Sequence, residues 1–151
     1  MSGLESLYQE LILEHSKRPH GKGLAEAENP SATSHQRNPI CGDEITLRVR
    51  LSDDGETVQS VTWDGAGCSI SQASASMLAA LIAEEDGMPR VEASALVDGF
   101  REALRSRGEI PLDEEVFGDA AALSGVSKFT ARVKCAMLAW VAFEDALARA
   151  S

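Results

Sequence analysis

The chain has 151 residues, with 14 Lys and Arg against 24 Asp and Glu, which gives a net charge of −10 at pH 7. Hydrophobic residues make up 44% and charged residues 25%, which is typical of a globular protein and argues against a disordered, collagen-like or coiled-coil chain. At roughly 150 residues per domain, we expect one domain over residues 1–151. The acidic balance argues against nucleic-acid binding, because phosphate contacts need clustered Lys and Arg.

The N-terminal residues and the cysteines indicate a cellular compartment. No stretch approaches the roughly 20 apolar residues of a membrane span, and residues 1–14 lack the basic and apolar regions of a signal peptide. We therefore predict a cytoplasmic protein that does not enter membranes. Three widely spaced cysteines then favour metal binding, reactivity or simple burial, whereas a secreted protein would hold one disulfide and a spare thiol.

The first half of the chain predicts a helix followed by a hairpin. The helix covers residues 4–17, where large apolar residues recur on one helical face. The polar residues 26–39 contain two prolines and predict a surface loop. Alternating apolar residues predict strands over 45–51 and 58–63, and the Asp-Gly pair in 53–55 predicts the turn between them.

The second half of the chain predicts mostly helices, over residues 69–84, 91–105 and 128–148. Residues 108–118 are acidic and read as a loop, and residues 120–123 read as a short turn. Strands that follow one helix and precede several others indicate an α+β fold, a small antiparallel sheet packed against several helices.

The cysteines and one aspartate form a candidate metal site. Cys41 and Asp43 flank Gly42 directly before the first predicted strand, where alternate residues face the same side. Cys68 lies at the start of the second predicted helix, and Cys135 lies inside the last one. Three thiolates and one carboxylate are enough for a tetrahedral zinc site. The alternative for each cysteine is a small buried hydrophobic residue.

The helical phase of Cys135 predicts which way it faces. At about 100° per residue, one arc of the last helix holds its large apolar residues, Phe129, Val133, Met137, Trp140 and Leu147, together with Ala136. Cys135 lies roughly opposite the centre of this arc, and Arg132 lies one helical turn before it. We therefore expect Cys135 to lie outside the core, in a site beside Arg132.

Three motifs resemble the IscU/NifU-type iron–sulfur cluster assembly family. They are Cys41-Gly42-Asp43, the run GAGCSISQASASM at residues 65–77, and the run GVSKFTARVKC at residues 125–135. The SufU branch is the most similar. Lys134 stands where the scaffold branch has histidine, an LPPVK motif is missing, and residues 86–117 resemble the SufU insertion. The resemblance covers nearly the whole chain and implies a SufE/NifU-like fold.

This resemblance implies a function and assigns its residues. The chain would be a zinc-dependent sulfurtransferase that takes persulfide sulfur from a SufS-type cysteine desulfurase and passes it to a downstream cluster scaffold. Cys41, Asp43, Cys68 and Cys135 would bind Zn²⁺, with Cys41 as the sulfur acceptor and Arg132 as a catalytic neighbour. Because thiolates bind iron as well as zinc, a scaffold that transiently holds an iron–sulfur cluster on the same cysteines is an alternative. A structural zinc module without chemistry is a third.

The remaining polar and aromatic residues predict no second site. We expect solvated side chains for the histidines, His15, His20 and His35. We expect core positions for Trp63 and Trp140. The serines at positions 69, 71, 74 and 76 lack a positioned base, which argues against a serine nucleophile.

Overall fold

A computed structural model describes residues 3–24, 31–38, 42–84 and 87–150. Its elements, in chain order, are helix α1 (Gly3–Lys17), strands β1 (Ser31–Arg37), β2 (Glu44–Leu51) and β3 (Thr57–Ala66), helix α2 (Ser69–Glu84), strand β4 (Met88–Pro89), helices α3 (Arg90–Arg105) and α4 (Glu114–Phe117), a 3-10 helix (Gly118–Lys128) and helix α5 (Thr130–Arg149). The strands form one antiparallel sheet in the order β1-β2-β3-β4. The predicted α+β class is therefore confirmed.

The predicted hairpin is the centre of the sheet. Strands β2 and β3 pair in antiparallel register, with Leu47 opposite Trp63 and Val49 opposite Val61. These four side chains are buried on the face that packs against the helices, and their neighbours along each strand face the other side. Alternation of apolar and polar residues thus predicts both the strands and the buried face.

Strand β1 corrects the prediction of a loop over residues 26–39. Ser31–Arg37 pairs with β2 at the edge of the sheet, and residues 25–30 and 39–41 lie outside the described part. The strand is polar because one of its faces is exposed to solvent. Its other face packs against α5, where the Ser34 hydroxyl donates a 2.6 Å hydrogen bond to Asp145. A strand without an apolar alternation gives no periodic signal.

The core lies between the sheet and helices α2, α3 and α5. The predicted core positions of Trp63 and Trp140 are confirmed, since their exposed fractions are 1% and 0%. Trp140 on α5 stacks on Phe100 of α3, with ring centroids 3.9 Å apart. The helix predicted over residues 69–84 matches α2, and the other two helix predictions differ from α3 and α5 by at most two residues at either end.

The acidic segment after α3 is a loop over residues 108–113, as predicted, but residues 114–118 form helical turns instead. Asp113 caps α4 by accepting a 3.0 Å hydrogen bond from the Glu115 N–H. Gly118 has a φ of 54°, which ends α4, and the turn predicted over 120–123 is part of the longer 3-10 helix. In the described part of the chain, no helix combines the length and the apolar character that a bilayer span requires.

Candidate metal centre

Three residues that are distant in sequence meet where the sheet joins α2 and α5. Asp43 directly precedes β2, Cys68 lies between β3 and α2, and Cys135 lies in the second turn of α5. One ligand atom from each, a carboxylate oxygen or a thiol sulfur, lies within 4.8 Å of the other two. Cys68 is exposed, whereas Asp43 and Cys135 are buried. The group therefore lies at the edge of the core and is accessible from solvent.

The Asp43 carboxylate is held by the first turn of α2. Its Oδ1 accepts a 3.0 Å hydrogen bond from the Cys68 N–H, and its Oδ2 accepts one of 2.5 Å from the Ser71 hydroxyl. The Cys68 thiol lies 3.6 Å from the same Oδ2. A helix N-terminus favours a negative charge, because its first N–H groups have no partner within the helix. This arrangement explains how a carboxylate that is only 2% exposed is accommodated.

Gly67 provides the room that Asp43 occupies. A Cβ atom at position 67 would lie 2.7 Å from Asp43 Oδ1 and 2.9 Å from Asp43 Cγ. Real Cβ atoms do not approach other atoms this closely, so a larger residue would displace the carboxylate. The glycine before Cys68 is therefore required by the close approach of Asp43.

The predicted orientation of Cys135 is wrong. Cys135 is 6% exposed and lies on the buried face of α5, in line with Ala139 and Ala142. That face is rich in alanine, which lets α5 approach α2 and the sheet, whereas Phe129 at the helix start is 55% exposed. The prediction gave most weight to large apolar residues and so displaced the centre of the buried face. Cys135 therefore contributes its sulfur to the candidate site from a buried position.

Cys41 lies outside the described residues, and its assignments as ligand and sulfur acceptor remain predictions. Its chain neighbours are held by two backbone hydrogen bonds: Gly42 N–H donates to Asn38 O, and Asn38 N–H donates to Asp43 O, each at 2.8 Å. Gly42 has a φ of 76°, a left-handed conformation that glycine adopts without strain.

Arg132 lies one helical turn before Cys135 but is exposed. Its guanidinium carbon is 5.3 Å from the centroid of the Phe129 ring, a cation–π contact at the start of α5. The structure leaves its catalytic role untested.

His15 corrects the expectation of solvated histidines. It is 4% exposed, its Nδ1 lies 2.6 Å from Ser76 Oγ, and its Nε2 lies 2.9 Å from Asp119 Oδ2. Ser76 therefore has a positioned base, contrary to expectation, but its exposed fraction is 0%, so no substrate reaches it. The three residues join α1 to α2 and the 3-10 helix. No sequence signal reveals this network, because its members lie in three separate elements.

Ser71 is the site residue that sequence reasoning missed. The serines of α2 are expected to have no catalytic role, yet the Ser71 hydroxyl contacts the Asp43 carboxylate and, at 3.3 Å, the Cys135 carbonyl. Its position three residues after Cys68, at the start of a helix, is the signal that the sequence offers, because side chains three residues apart on a helix are neighbours.

The donor set restricts the kind of metal. Two sulfur atoms and one carboxylate oxygen suit zinc or iron rather than Mg²⁺ or Ca²⁺, which prefer oxygen alone. The three described donors leave one tetrahedral position for a further ligand. Fold and site together define a small α+β protein with a candidate metal centre built largely from cysteine.

The chain belongs to the family of the NifU-like N-terminal domain, whose profile matches residues 7–136. It is 38% identical, over 98% of its length and 94% of the relative, to the zinc-dependent sulfurtransferase SufU of Bacillus subtilis (strain 168). It is 37% identical, over 100% of its length and 89% of the relative, to the iron–sulfur cluster assembly scaffold protein IscU of Streptococcus pyogenes serotype M1. This is the iron–sulfur assembly family that the motifs indicate.

Two solved structures share the fold along nearly the whole chain. A crystal structure of a hypothetical protein superposes with a TM-score of 0.82 at 35% identity, covering 96% of this chain and 99% of the other. A second, from Fervidobacterium islandicum AW-1, is named as a candidate iron–sulfur cluster assembly scaffold for the SUF system. It gives a TM-score of 0.75 at 32% identity, covering 95% of this chain and 98% of the other.

Proposed function

We propose that this protein is a zinc-dependent sulfur acceptor that takes persulfide sulfur from a cysteine desulfurase for iron–sulfur cluster assembly. The observation that carries the proposal is the convergence of Asp43, Cys68 and Cys135, whose ligand atoms lie within 4.8 Å of one another. The likeness to a zinc-dependent sulfurtransferase over 98% of the chain supports it.

The resident metal in this proposal is Zn²⁺, held by Asp43, Cys68 and Cys135 with Cys41 as the fourth ligand. When bound, zinc keeps its cysteine ligands deprotonated at neutral pH. Four anionic ligands exceed the charge of one Zn²⁺, so the site retains a net negative charge. Arg132, one helical turn from Cys135, would offset part of this charge.

Sulfur transfer then proceeds by thiol exchange at Cys41. The Cys41 thiolate attacks the terminal sulfur of the desulfurase persulfide and forms a new S–S bond with it. The S–S bond within the donor breaks, and the desulfurase cysteine departs as a thiolate with the electron pair. No external oxidant or reductant takes part. Cys41 now carries the persulfide, which it passes to a downstream cluster scaffold.

The chemistry also implies a compartment. Exchange between thiolates and persulfides requires cysteines that are kept reduced, as they are in the cytoplasm. The proposal therefore places the protein there, together with a SufS-type desulfurase as donor and a cluster scaffold as the next acceptor.

A second candidate function is a scaffold that carries an iron–sulfur cluster as cargo on the same cysteines. The relatives from Streptococcus pyogenes and Thermotoga maritima favour it, since both are named iron–sulfur cluster assembly scaffold proteins and are 37% and 36% identical to this chain. Visible absorption separates the two functions, because a zinc protein is colourless and an iron–sulfur protein is not.

Mass spectrometry after incubation with desulfurase and cysteine tests the proposal. The wild-type peptide that contains Cys41 should gain about 32 Da, the mass of one sulfur atom. The Cys41→Ser variant should gain none there, because a serine hydroxyl forms no persulfide, and a reaction without desulfurase is the control. An equal gain in the variant would assign the acceptor to another cysteine, and no gain in the zinc-loaded wild type would contradict the proposed function.

A further inference from the structure

The Ser71 hydroxyl contacts all three residues of the candidate metal centre. Its oxygen lies 2.5 Å from Asp43 Oδ2, 3.8 Å from the Cys68 sulfur and 3.3 Å from the Cys135 carbonyl oxygen. A hydroxyl has one proton to donate. The carboxylate is both the nearest and the strongest acceptor, so the proton is donated to Asp43.

Cys68 and Ser71 both contact Oδ2 of Asp43, and the contact from Ser71 is the shorter. The Cys68 N–H holds Oδ1 at 3.0 Å, and the Cys68 thiol contacts Oδ2 at 3.6 Å, where sulfur is a weak donor. The 2.5 Å bond from the Ser71 hydroxyl to the same oxygen is stronger, so it restrains rotation about the Cβ–Cγ bond and keeps Oδ2 beside the Cys68 sulfur. We infer that Ser71 is a positioning residue that orients Asp43 as a metal ligand. This inference depends on the metal site of the proposed function.

Chelator competition with purified protein tests this inference without the desulfurase. Ser71→Ala should bind zinc about 10-fold to 100-fold more weakly, the usual effect of losing a partner that orients a metal ligand. Ser71→Thr keeps the hydroxyl and should restore most of the affinity. With Co²⁺ in place of zinc, Ser71→Ala should also change the visible absorption bands, which report ligand geometry.

Ser74 offers a matched control one turn further along α2. It is also buried, its hydroxyl donates to the Ala136 carbonyl at 2.6 Å, and it accepts a 3.0 Å hydrogen bond from Trp140 Nε1. Ser74→Ala should therefore lower the stability of the fold and leave the Co²⁺ spectrum unchanged. The inference is wrong if Ser71→Ala binds zinc as the wild type does, or if both variants lose affinity only in proportion to lost stability. A wild type that binds no zinc would instead contradict the proposed function, and the role of Ser71 with it.

A groove of about 560 Å³ carries a second, independent inference. It lies between α1, the 3-10 helix and the start of α5. Its rim includes Leu13 and Phe129, which are 49% and 55% exposed although both are large and apolar. It also adjoins the metal centre, since its lining includes Ile70, next to Ser71, and Arg132, one turn before Cys135.

The charges of the groove indicate the kind of partner. Among the described residues that line it, the charged ones are Lys128 and Arg132, both positive, in a chain with a net charge of −10. An apolar surface flanked by positive charge complements a segment with apolar and acidic side chains. We propose that the groove binds such a segment of the desulfurase that delivers sulfur to the adjacent site. This proposal rests on the proposed function.

Calorimetric titration of the zinc-loaded protein into the desulfurase tests the groove. Phe129→Ala and Lys128→Glu should each weaken binding about 10-fold or more, because an aromatic anchor and a complementary charge are lost. The matched controls lie outside the groove. They are Val91→Ala on α3, where Val91 is 79% exposed, and Lys17→Glu at the end of α1. Both should bind as the wild type does.

The outcomes separate this proposal from the proposed function. Groove variants with wild-type affinity, or controls that weaken binding equally, would show that the partner docks elsewhere. A wild type that does not bind the desulfurase would contradict the proposed function itself, and the groove proposal with it.

Discussion

Replacing Gly67 with alanine should displace Asp43 from the metal centre. The new Cβ would lie 2.7 Å from Asp43 Oδ1 and 2.9 Å from its Cγ, so the carboxylate has to move. The φ of Gly67 is not positive, and alanine can therefore adopt the same backbone conformation. The effect of the substitution thus arises from the contact with Asp43 rather than from backbone strain.

The size of the effect follows from the bonds that hold Asp43. The buried carboxylate accepts hydrogen bonds from the Cys68 N–H and the Ser71 hydroxyl, and hydrogen bonds to charged groups contribute about 1.5–3 kcal/mol each. Losing one of them should lower the free energy of unfolding of the metal-free protein by about 2 kcal/mol. Misplacing the ligand should lower zinc affinity at least about 10-fold.

Urea unfolding and chelator competition measure these two quantities. Gly125→Ala is the matched control, because a Cβ at that position meets no atom within 4 Å. Its unfolding free energy should stay within about 0.5 kcal/mol of the wild type, as for most surface substitutions. Wild-type zinc affinity in Gly67→Ala would refute the reasoning, since Asp43 could then not be a ligand in the position described.

Three further substitutions test separate parts of the structure. Arg132→Ala should retain zinc, because a guanidinium group does not bind metal, and it should slow sulfur transfer about 10-fold. An unchanged rate of transfer would show that Arg132 is a solvated side chain without a role in the reaction. His15→Ala removes two hydrogen bonds, one of them buried, and should lower the free energy of unfolding by about 2 kcal/mol with no change in zinc affinity. The hydrogen bond from Ser34, followed by that from Arg149, holds the pKa of Asp145 below its ordinary value of 3.8. The stability that the ionised Asp145 contributes is therefore present above pH 3.8 and is lost as the pH falls towards the folded-state pKa. Asp145→Asn should make the loss of structure at low pH, measured by circular dichroism, less steep.

The accuracy of sequence-based prediction differs between the strands. In β2, branched apolar residues alternate with polar ones, and the buried face follows directly from that pattern. In β3 the alternation is interrupted between Val58 and Val61, and a register shift opposite Arg50 and Leu51 keeps both side chains buried. Strand β1 has the sequence SATSHQR and, among the described strands, pairs with β2 alone. Its stability comes from backbone pairing with β2 and from the Ser34 contact with α5, neither of which leaves a local hydrophobic signal.

The candidate metal centre shows the same division between local and long-range information. Asp43, Cys68 and Cys135 are identifiable as donors from their motifs, and the fold brings them together. The buried face of α5 could not be obtained from its large residues alone, because the buried alanines Ala139, Ala142 and Ala146 widen it from Trp140 and Phe143 towards Cys135. The contact of Ser71 with Asp43 depends on how the first turn of α2 meets the residue before β2, which no single segment encodes.

The metal content of the protein, purified from cells without added iron, tests the central claim most directly. The four proposed ligands would fill one tetrahedral zinc site, which predicts about one zinc ion per chain and no visible absorption. Elemental analysis that finds iron with acid-labile sulfide in place of zinc, in a coloured protein, would contradict the account and favour a cluster scaffold.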